Sequence, residues 1–317
     1  MDLLDRIRAT GLLPPGEPVV VLLSGGRDST CLLDAAARLA GTASTTALHV
    51  DHGLRGPQAS AREREHCADL ADRLGVALEV HAAPPRDPEA DGNVHAWARE
   101  VRHAAGHAAA AARGARLALG HTATDQVETV LYRLATSPGR RALLGMAAQR
   151  EDGLVRPLLA ARVTREETAA HCAGRDLPVL EDPSNDDPGF ARARVRHGLV
   201  PALAAVDARA SDNILRTAEL LREEAAVLDE LIATTLAGRD RIPRQELRVL
   251  PPALARLVVR HLAEQATGAL CPRASHRLDE LLALESGALD VGDGARLVVR
   301  RGEVHAERTP PLRRSTA

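Results

Sequence analysis

The sequence contains no lysine; all 41 of its basic residues are arginine. This excludes chemistry that needs a protein ε-amine, such as the lysine of a Walker A loop, a Schiff base or a lysyl-adenylate. Aromatic side chains are nearly missing as well, with only Trp97, Tyr132 and Phe190 present. An RNA module that stacks successive bases on several rings is therefore a poor reading. Four cysteines, Cys31, Cys67, Cys172 and Cys271, stand far apart, and none makes a Cys-x-x-Cys pair. That spacing argues against a zinc ribbon, a ligated iron–sulfur cluster or a redox dithiol, and reads as reduced, mostly buried thiols. No apolar run approaches the roughly 20 residues of a membrane span. The opening MDLLDRIRAT has no cationic stretch leading into an apolar one, so no secretory signal is read. A cytoplasmic protein with no membrane partner is expected. The net charge of −2 means that any polyanion must be met by local patches rather than by a global field.

The chain is 317 residues long, with 45% hydrophobic and 26% charged residues, which suits a globular protein of about two domains. Up to about residue 180, short apolar runs alternate with helical patterns. Strands are expected at Pro18–Leu23, Thr45–Val50, Val76–His81 and Arg116–Gly120. Helices are expected from Ser29 to about Ala40, then at Ala59–Leu74, Asn93–Ala112 and Asp125–Leu134. This alternation predicts an α/β fold with a doubly wound, mostly parallel sheet, whose ligands sit at the carboxyl ends of the strands. Leu177–Gly189 reads as a boundary loop and Phe190–Leu203 as an arginine-bearing helix. The domains are expected at 1–205 and 206–317, the second smaller and mainly helical. Its helices are expected over 208–237, 244–250, 252–267 and 273–286. A terminal hairpin would turn at Arg301-Gly302, and the tail after Thr309 would fray.

Three segments at the predicted strand ends carry unusual residues. The first is Ser24-Gly25-Gly26-Arg27-Asp28-Ser29, directly after a strand and opening a helix. Adjacent glycines let backbone N–H groups form an anion nest backed by the positive end of the helix. Ser24 and Ser29 add hydroxyl donors, and Asp28 can hold the Mg²⁺ that accompanies a polyphosphate. A simple strand–helix turn capped by Ser and Asp would use the same residues. The second segment is His49–Arg55, in which Asp51 is either a metal or substrate contact or a turn residue. The third is His121–Glu128, where Asp125 and Glu128 lie three apart and share a helix face. Two such carboxylates can hold Mg²⁺ or orient and deprotonate an amine; a capping box is the plainer alternative. Arg192, Arg194 and Arg196 spread over about 200° of a helix, so only one or two can face a phosphate. Arg133, Arg140 and Arg141, and Arg239, Arg241, Arg244 and Arg248, are either RNA-facing patches or solvated surface.

The loop Ser24–Ser29 resembles the PP-loop of the ATP pyrophosphatase superfamily, and further segments resemble the tRNA(Ile)-lysidine synthetases within it. These are His49-Val50-Asp51-His52-Gly53-Leu54-Arg55, Ala98-Arg99 with Arg102-His103, Gly120-His121-Thr122 and Asp125-Gln126-Val127-Glu128-Thr129. Gly145-Met146, Arg156-Pro157-Leu158-Leu159, Glu181-Asp182-Pro183-Ser184-Asn185 and Arg192 to His197 follow in the family's order. The match covers about residues 17–205 and is specific as a set. It implies a Rossmann-like PP-loop domain and an enzyme that uses ATP and Mg²⁺ to adenylate the wobble cytidine of a CAU-anticodon tRNA(Ile). Free L-lysine then attacks to form lysidine, releasing AMP. It also implies Asp28, Asp125, Glu128, Arg192 and Arg194 as catalytic, with Asp28 and Asp125 as metal ligands. Ser24, Gly25, Gly26, Arg27, Asp28, Ser29, Val50, His52 and Arg102 would hold ATP, and a homodimer is left open. The pattern departs at Thr124, where the family has a second Asp, and at Ala193, where it has Asn; Thr124 is expected to cap the helix instead. Two other readings stay open: a PP-loop tRNA thiolation enzyme, and an ATP- and tRNA-binding homologue without catalysis.

Overall fold

In the computed structural model, β1 (Val19–Leu22) is buried along its whole length and lies mid-sheet. Residues 1–54, 56–86, 93–137, 139–181 and 189–310 are described. Successive strand residues point to opposite faces, and the core divides accordingly. Val19, Val21 and Leu23 pack in one cluster with α1 (Leu3–Ala9), α2 (Arg27–Leu39) and α3 (Pro57–Leu74). Val20 and Leu22 pack in another with Leu48 and Val50 of β2 (Thr45–Asp51). This second face lies under the alanine-rich side of α4 (Val94–Arg113), which follows β3 (Ala77–Ala82). The helix can approach closely because Gly106 lacks a side chain: a Cβ there would stand 2.9 Å from Leu117.

Beyond β4 (Arg116–Ala118) come α5 (Ala123–Thr136), α6 (Arg140–Leu143), β5 (Leu154–Val155), α7 (Pro157–Ala160) and α8 (Arg165–Gly174). The five strands run in the order β3-β2-β1-β4-β5, all parallel, as the alternation predicts. The order reverses between β1 and β4, where a doubly wound sheet opens its ligand crevice. Four strands were expected; β5 is the fifth, joined by the unforeseen helices α1 and α8. The arginine-bearing helix is interrupted: α9 (Ala191–Arg194) and α10 (Val200–Val206) flank a π-turn at Val195–Leu199. Such turns are frequent at functional sites. The expected loop at Leu177–Gly189 and the motif Glu181–Asn185 fall mostly on 182–188, outside the described residues. So do Arg55 and most of the tail expected to fray.

Contacts divide the chain into compact units at Met1–Leu221 and Arg222–Ala317, within α11 (Ala210–Leu236). The second unit holds β6 (Arg241–Pro243), α12 (Arg244–Val249), α13 (Pro252–Thr267), α14 (Leu278–Ala283), β7 (Gly287–Gly292), β8 (Ala295–Arg300) and β9 (Glu303–Arg308). Its core includes Ile242, Leu247, Val258, Leu262, Leu281, Leu297 and Val304. The expected hairpin is present as β8 and β9, but it belongs to a four-stranded antiparallel sheet ordered β6-β9-β8-β7. The helix expected over 273–286 stops at Ala283, and β7 follows. Both tight turns have positive φ at two successive residues: Arg301 (55°) with Gly302 (79°), and Asp293 (58°) with Gly294 (75°). That conformation matches the twist of the strands it joins. Among the described residues no helix is long and apolar enough to cross a membrane.

Candidate active site

The loop after β1 is tightly built. Gly25 adopts φ +79°, and a Cβ there would meet Leu180 at 2.8 Å and His66 at 3.0 Å, so only glycine fits. The Ser29 hydroxyl donates to the Gly26 carbonyl at 2.9 Å, lies 3.1 Å from the Ser24 hydroxyl and accepts the Ser24 amide at 3.2 Å. Gly26 caps α2 without a side-chain bond, leaving first-turn amides available to an anion. The β4–α5 turn presses on this loop: a Cβ at Gly120 would stand 3.0 Å from the Asp28 backbone. The glycine thus lets two strand-end segments meet.

Across the loop stands α5, whose first turn has a full capping box. Thr122, not Thr124, is the N-cap: its hydroxyl accepts from the Asp125 amide, and Asp125 Oδ2 accepts from the Thr122 amide at 2.8 Å. The reason is positional, because Asp125 sits three residues after Thr122, the spacing a capping box needs. The Thr124 hydroxyl instead accepts from the Arg165 amide at 3.1 Å, tying the start of α8 to α5. Asp125 therefore commits Oδ2 to the cap and presents Oδ1 outward. Asp28 is divided the same way, its Oδ1 accepting from the Thr168 hydroxyl of α8. Burial raises the Asp28 carboxyl above its ordinary range; the Asp125 charge adds to this, while Thr168 and Arg165 oppose it.

Arg165, which no motif singled out, lies among the acids. Its Nη2 is 3.2 Å from Asp125 Oδ1, its Nε 3.6 Å from Asp28 Oδ2 and its Nη1 3.8 Å from Glu128 Oε1. Glu128 is fully buried and takes a two-point contact from Arg196, at 2.7 and 3.1 Å. Arg192 and Arg196 are four residues apart and share a face, so Arg192 also reaches α5 and donates to the Thr129 hydroxyl at 2.8 Å. Arg194 lies on another face and donates to the Gly189 carbonyl at 2.9 Å. Of the three alternating arginines, Arg196 is therefore the one at the acids. Ala193 is buried.

A cluster of like charges borders this group. Burial and then Arg192, Arg133 and Arg150 lower Arg99; burial and then Arg99 lower Arg102. Among the described residues no acid is found to offset either. Burial, with Arg99 and Arg150 adding to it, brings Arg156 down to about 10. Its Nε donates to His121 Nδ1 at 3.1 Å, which puts the His121 proton on Nε2 when the ring is neutral. Burial and neighbouring arginines push His121 down to about 3 against the pull of Asp125, and His103 down to about 4. Both rings are neutral at physiological pH.

At the end of β2, Val50 is buried and His52 packs edge-on against Trp97, with ring centroids 5.8 Å apart. Burial and then Arg102 lower the His52 pKa, and its Nδ1 has no hydrogen-bond partner among the described residues. A cavity of about 320 Å³ opens there between Asp51–Leu54 and Ala82–Arg86. Asp51 Oδ1 accepts the Gly53 amide at 2.9 Å, and Arg64 lies 3.4 Å from Oδ2, the contacts of a turn residue. All four cysteines are free and buried. Burial pushes Cys67 up to about 12 and Cys172 up to about 11, which suppresses the thiolate that nucleophilic or redox chemistry needs.

The donor set suits Mg²⁺. Two hard carboxylate oxygens, Asp28 Oδ2 and Asp125 Oδ1, both lie against the Arg165 guanidinium, and Mg²⁺ is ordinarily held by one or two carboxylates together with substrate phosphates.

Residues 6–203 match the PP-loop domain family. The tRNA(Ile)-lysidine synthase of Salinispora arenicola is 41% identical over 293 residues, covering 88% of this chain and 86% of that one. That of Salinispora tropica is 38% identical, covering 93% and 92%; that of Streptomyces coelicolor is 37% identical, covering 93% and 88%. A solved U34-tRNA thiolase from Methanococcus maripaludis shares the fold, with a TM-score of 0.58 at 17% identity over 69% of this chain and 78% of that one. The chain belongs to the PP-loop family and, within it, to the tRNA(Ile)-lysidine synthases.

Proposed function

We propose that this protein joins free L-lysine to the wobble cytidine of a CAU-anticodon tRNA(Ile) at the expense of ATP. The observation that supports this most is the double membership of Asp28: it lies in the first turn of the phosphate-loop helix and also shares the Arg165 guanidinium with Asp125. A triphosphate on the loop would thus meet the carboxylates at its reacting end. Amides and hydroxyls of Ser24, Gly25, Gly26, Arg27, Asp28 and Ser29 take the phosphates. Val50 and His52 border the nucleoside, and Arg102 answers phosphate charge. Asp28 and Asp125 would hold Mg²⁺, which would supply charge neutralisation to the triphosphate. The cytidine carbonyl oxygen attacks the α-phosphorus and the bond to the β-phosphate oxygen breaks, releasing pyrophosphate. The lysine ε-amine then attacks the activated ring carbon, the bond to the adenylate oxygen breaks, and AMP leaves. The amine sheds its proton beside the Asp28 and Asp125 carboxylates, next to the ion pair of Glu128 with Arg196. Arg192 and Arg194, on different faces of one short helix, meet phosphates of the nucleotide and the RNA.

The test is pyrophosphate release from ATP with an unmodified CAU-anticodon tRNA, with and without labelled lysine. Dependence on that tRNA together with label in the RNA is expected. Release without label in the RNA would sink the lysine step, and no release would sink the adenylation step.

A further inference from the structure

Arg165 occupies a place that its contacts explain only in part. Its backbone is anchored by the amide, which donates to the Thr124 hydroxyl, and the carbonyl lies 2.9 Å from the Thr168 hydroxyl. Its guanidinium is held more loosely. Only the contact to Asp125 Oδ1 at 3.2 Å is a hydrogen bond; Asp28 at 3.6 Å and Glu128 at 3.8 Å are longer ion pairs. Glu128 already has both oxygens bound by Arg196, so it would keep its counter-ion if Arg165 moved away.

The two aspartates are arranged differently. Each commits one oxygen to a neighbouring element, Asp28 Oδ1 to Thr168 and Asp125 Oδ2 to Thr122. Each turns the other, Asp28 Oδ2 and Asp125 Oδ1, towards the same guanidinium. Those are also the two oxygens that would hold a divalent metal. A guanidinium and a doubly charged ion cannot share them without strong repulsion at about 4 Å.

The geometry points to Arg165 as a competitor for the metal site: it is a positioning residue whose charge keeps divalent affinity low until nucleotide phosphates add their own. This rests on the reading that the site takes ATP with Mg²⁺. The triphosphate contributes oxygens to the metal and gives the guanidinium another anion to face. Metal uptake is thereby coupled to nucleotide.

Mn²⁺ binding to the full chain without nucleotide, read by electron paramagnetic resonance, tests this. Arg165→Gln removes the charge and is expected to tighten Mn²⁺ binding about tenfold or more. Arg165→Lys keeps a charge and is expected to stay near the wild-type affinity. Arg165→Met carries the same expectation as Arg165→Gln, should the latter fail to fold. Unchanged or weaker Mn²⁺ binding in the charge-removed variants would overturn the proposal, because a merely structural arginine would lower affinity when lost. The measurement uses neither tRNA nor lysine. Failure of lysidine formation with tighter Mn²⁺ binding would therefore count against the proposed function alone.

Discussion

One group of arginines in the first compact unit is placed unlike most of those in the second. In the second unit most of the described arginines have a local partner. Arg239 meets Glu246 at 2.9 Å and Arg273 meets Asp293 at 2.9 Å; Arg277 pairs with Glu280 and Arg296 with Glu307. Arg241 pairs with Asp240, while Arg244 and Arg248 donate to carbonyls of Leu284 and Leu282. The patch Arg239–Arg248 is thus tied into its own fold. In the first unit Arg99, Arg102, Arg133, Arg156 and Arg192 crowd one another. The directions of shift say the same. Pairing raises Arg239, Arg241 and Arg277, whereas burial beside other arginines lowers Arg99, Arg102, Arg133 and Arg156. Partnered arginines hold a fold together; crowded ones work against it, and their arrangement makes sense where a polyanion is received.

Arg196 offers the sharpest test of this contrast, since it follows Arg192 by four residues yet pairs with the buried Glu128. Arg196→Ala would leave the buried Glu128 carboxylate with only the longer contact to Arg165, and should destabilise the protein by about 3 kcal/mol. Arg194→Ala, two residues away and exposed, should change stability by no more than about 0.5 kcal/mol. Thermal melting of the two variants decides; equal losses would mean that the Glu128 pair is not what holds the π-turn to α5.

A smaller effect separates crowded from paired arginines in binding. Arg102→Ala should weaken ATP-dependent tRNA binding about tenfold and reduce the slope of log affinity against log salt by about one. It should do so without lowering the melting temperature, because a repelling charge is removed. Arg277→Ala should leave affinity and slope unchanged. Filter binding at two salt concentrations reads both, and a matched loss in the two variants would erase the distinction drawn here.

A third effect is a pH dependence. His103 and His121 have folded pKa values near 4 and 3, below the ordinary value of about 6.5. As pH falls from about 6.5 towards 4, the unfolded chain takes up protons that the folded rings refuse, so stability falls with pH. Each ring contributes at most about 1.4 kcal/mol per pH unit across that window, and His103, half exposed, contributes less. Denaturant titrations between pH 4 and 7 should show a shallower slope for His103→Gln than for the wild type.

What the sequence made legible follows from the range over which each signal acts. β1 to β4 and α2 to α5 were readable because hydrophobic period and length are local properties. β5 is two residues long and has no period to read. β7 did carry a signal, the Asp293-Gly294 dipeptide that favours a two-residue hairpin turn, and it went unread just beyond the helix expected over 273–286. At the candidate site, motifs supplied the loop, Asp125, Glu128 and Arg102. They did not supply Arg165, which is 37 residues from Glu128 and 137 from Asp28 along the chain. Only the parallel crossovers bring it there. Arg196 was in view, but the preference for Arg192 and Arg194 overlooked that residues four apart share a helix face. Capping by Thr124 was expected because it precedes Asp125, whereas the box needs a spacing of three.

The scarcity of aromatic rings has an optical consequence. Trp97 is the only indole in the chain, and it rests on His52 at the end of β2. Emission excited in the tryptophan band therefore arises at one point, beside the proposed nucleoside position. The protein carries its own reporter there: a ligand that settles at the β2 rim changes the colour or yield of that single fluorophore, and one that binds far from it passes unseen.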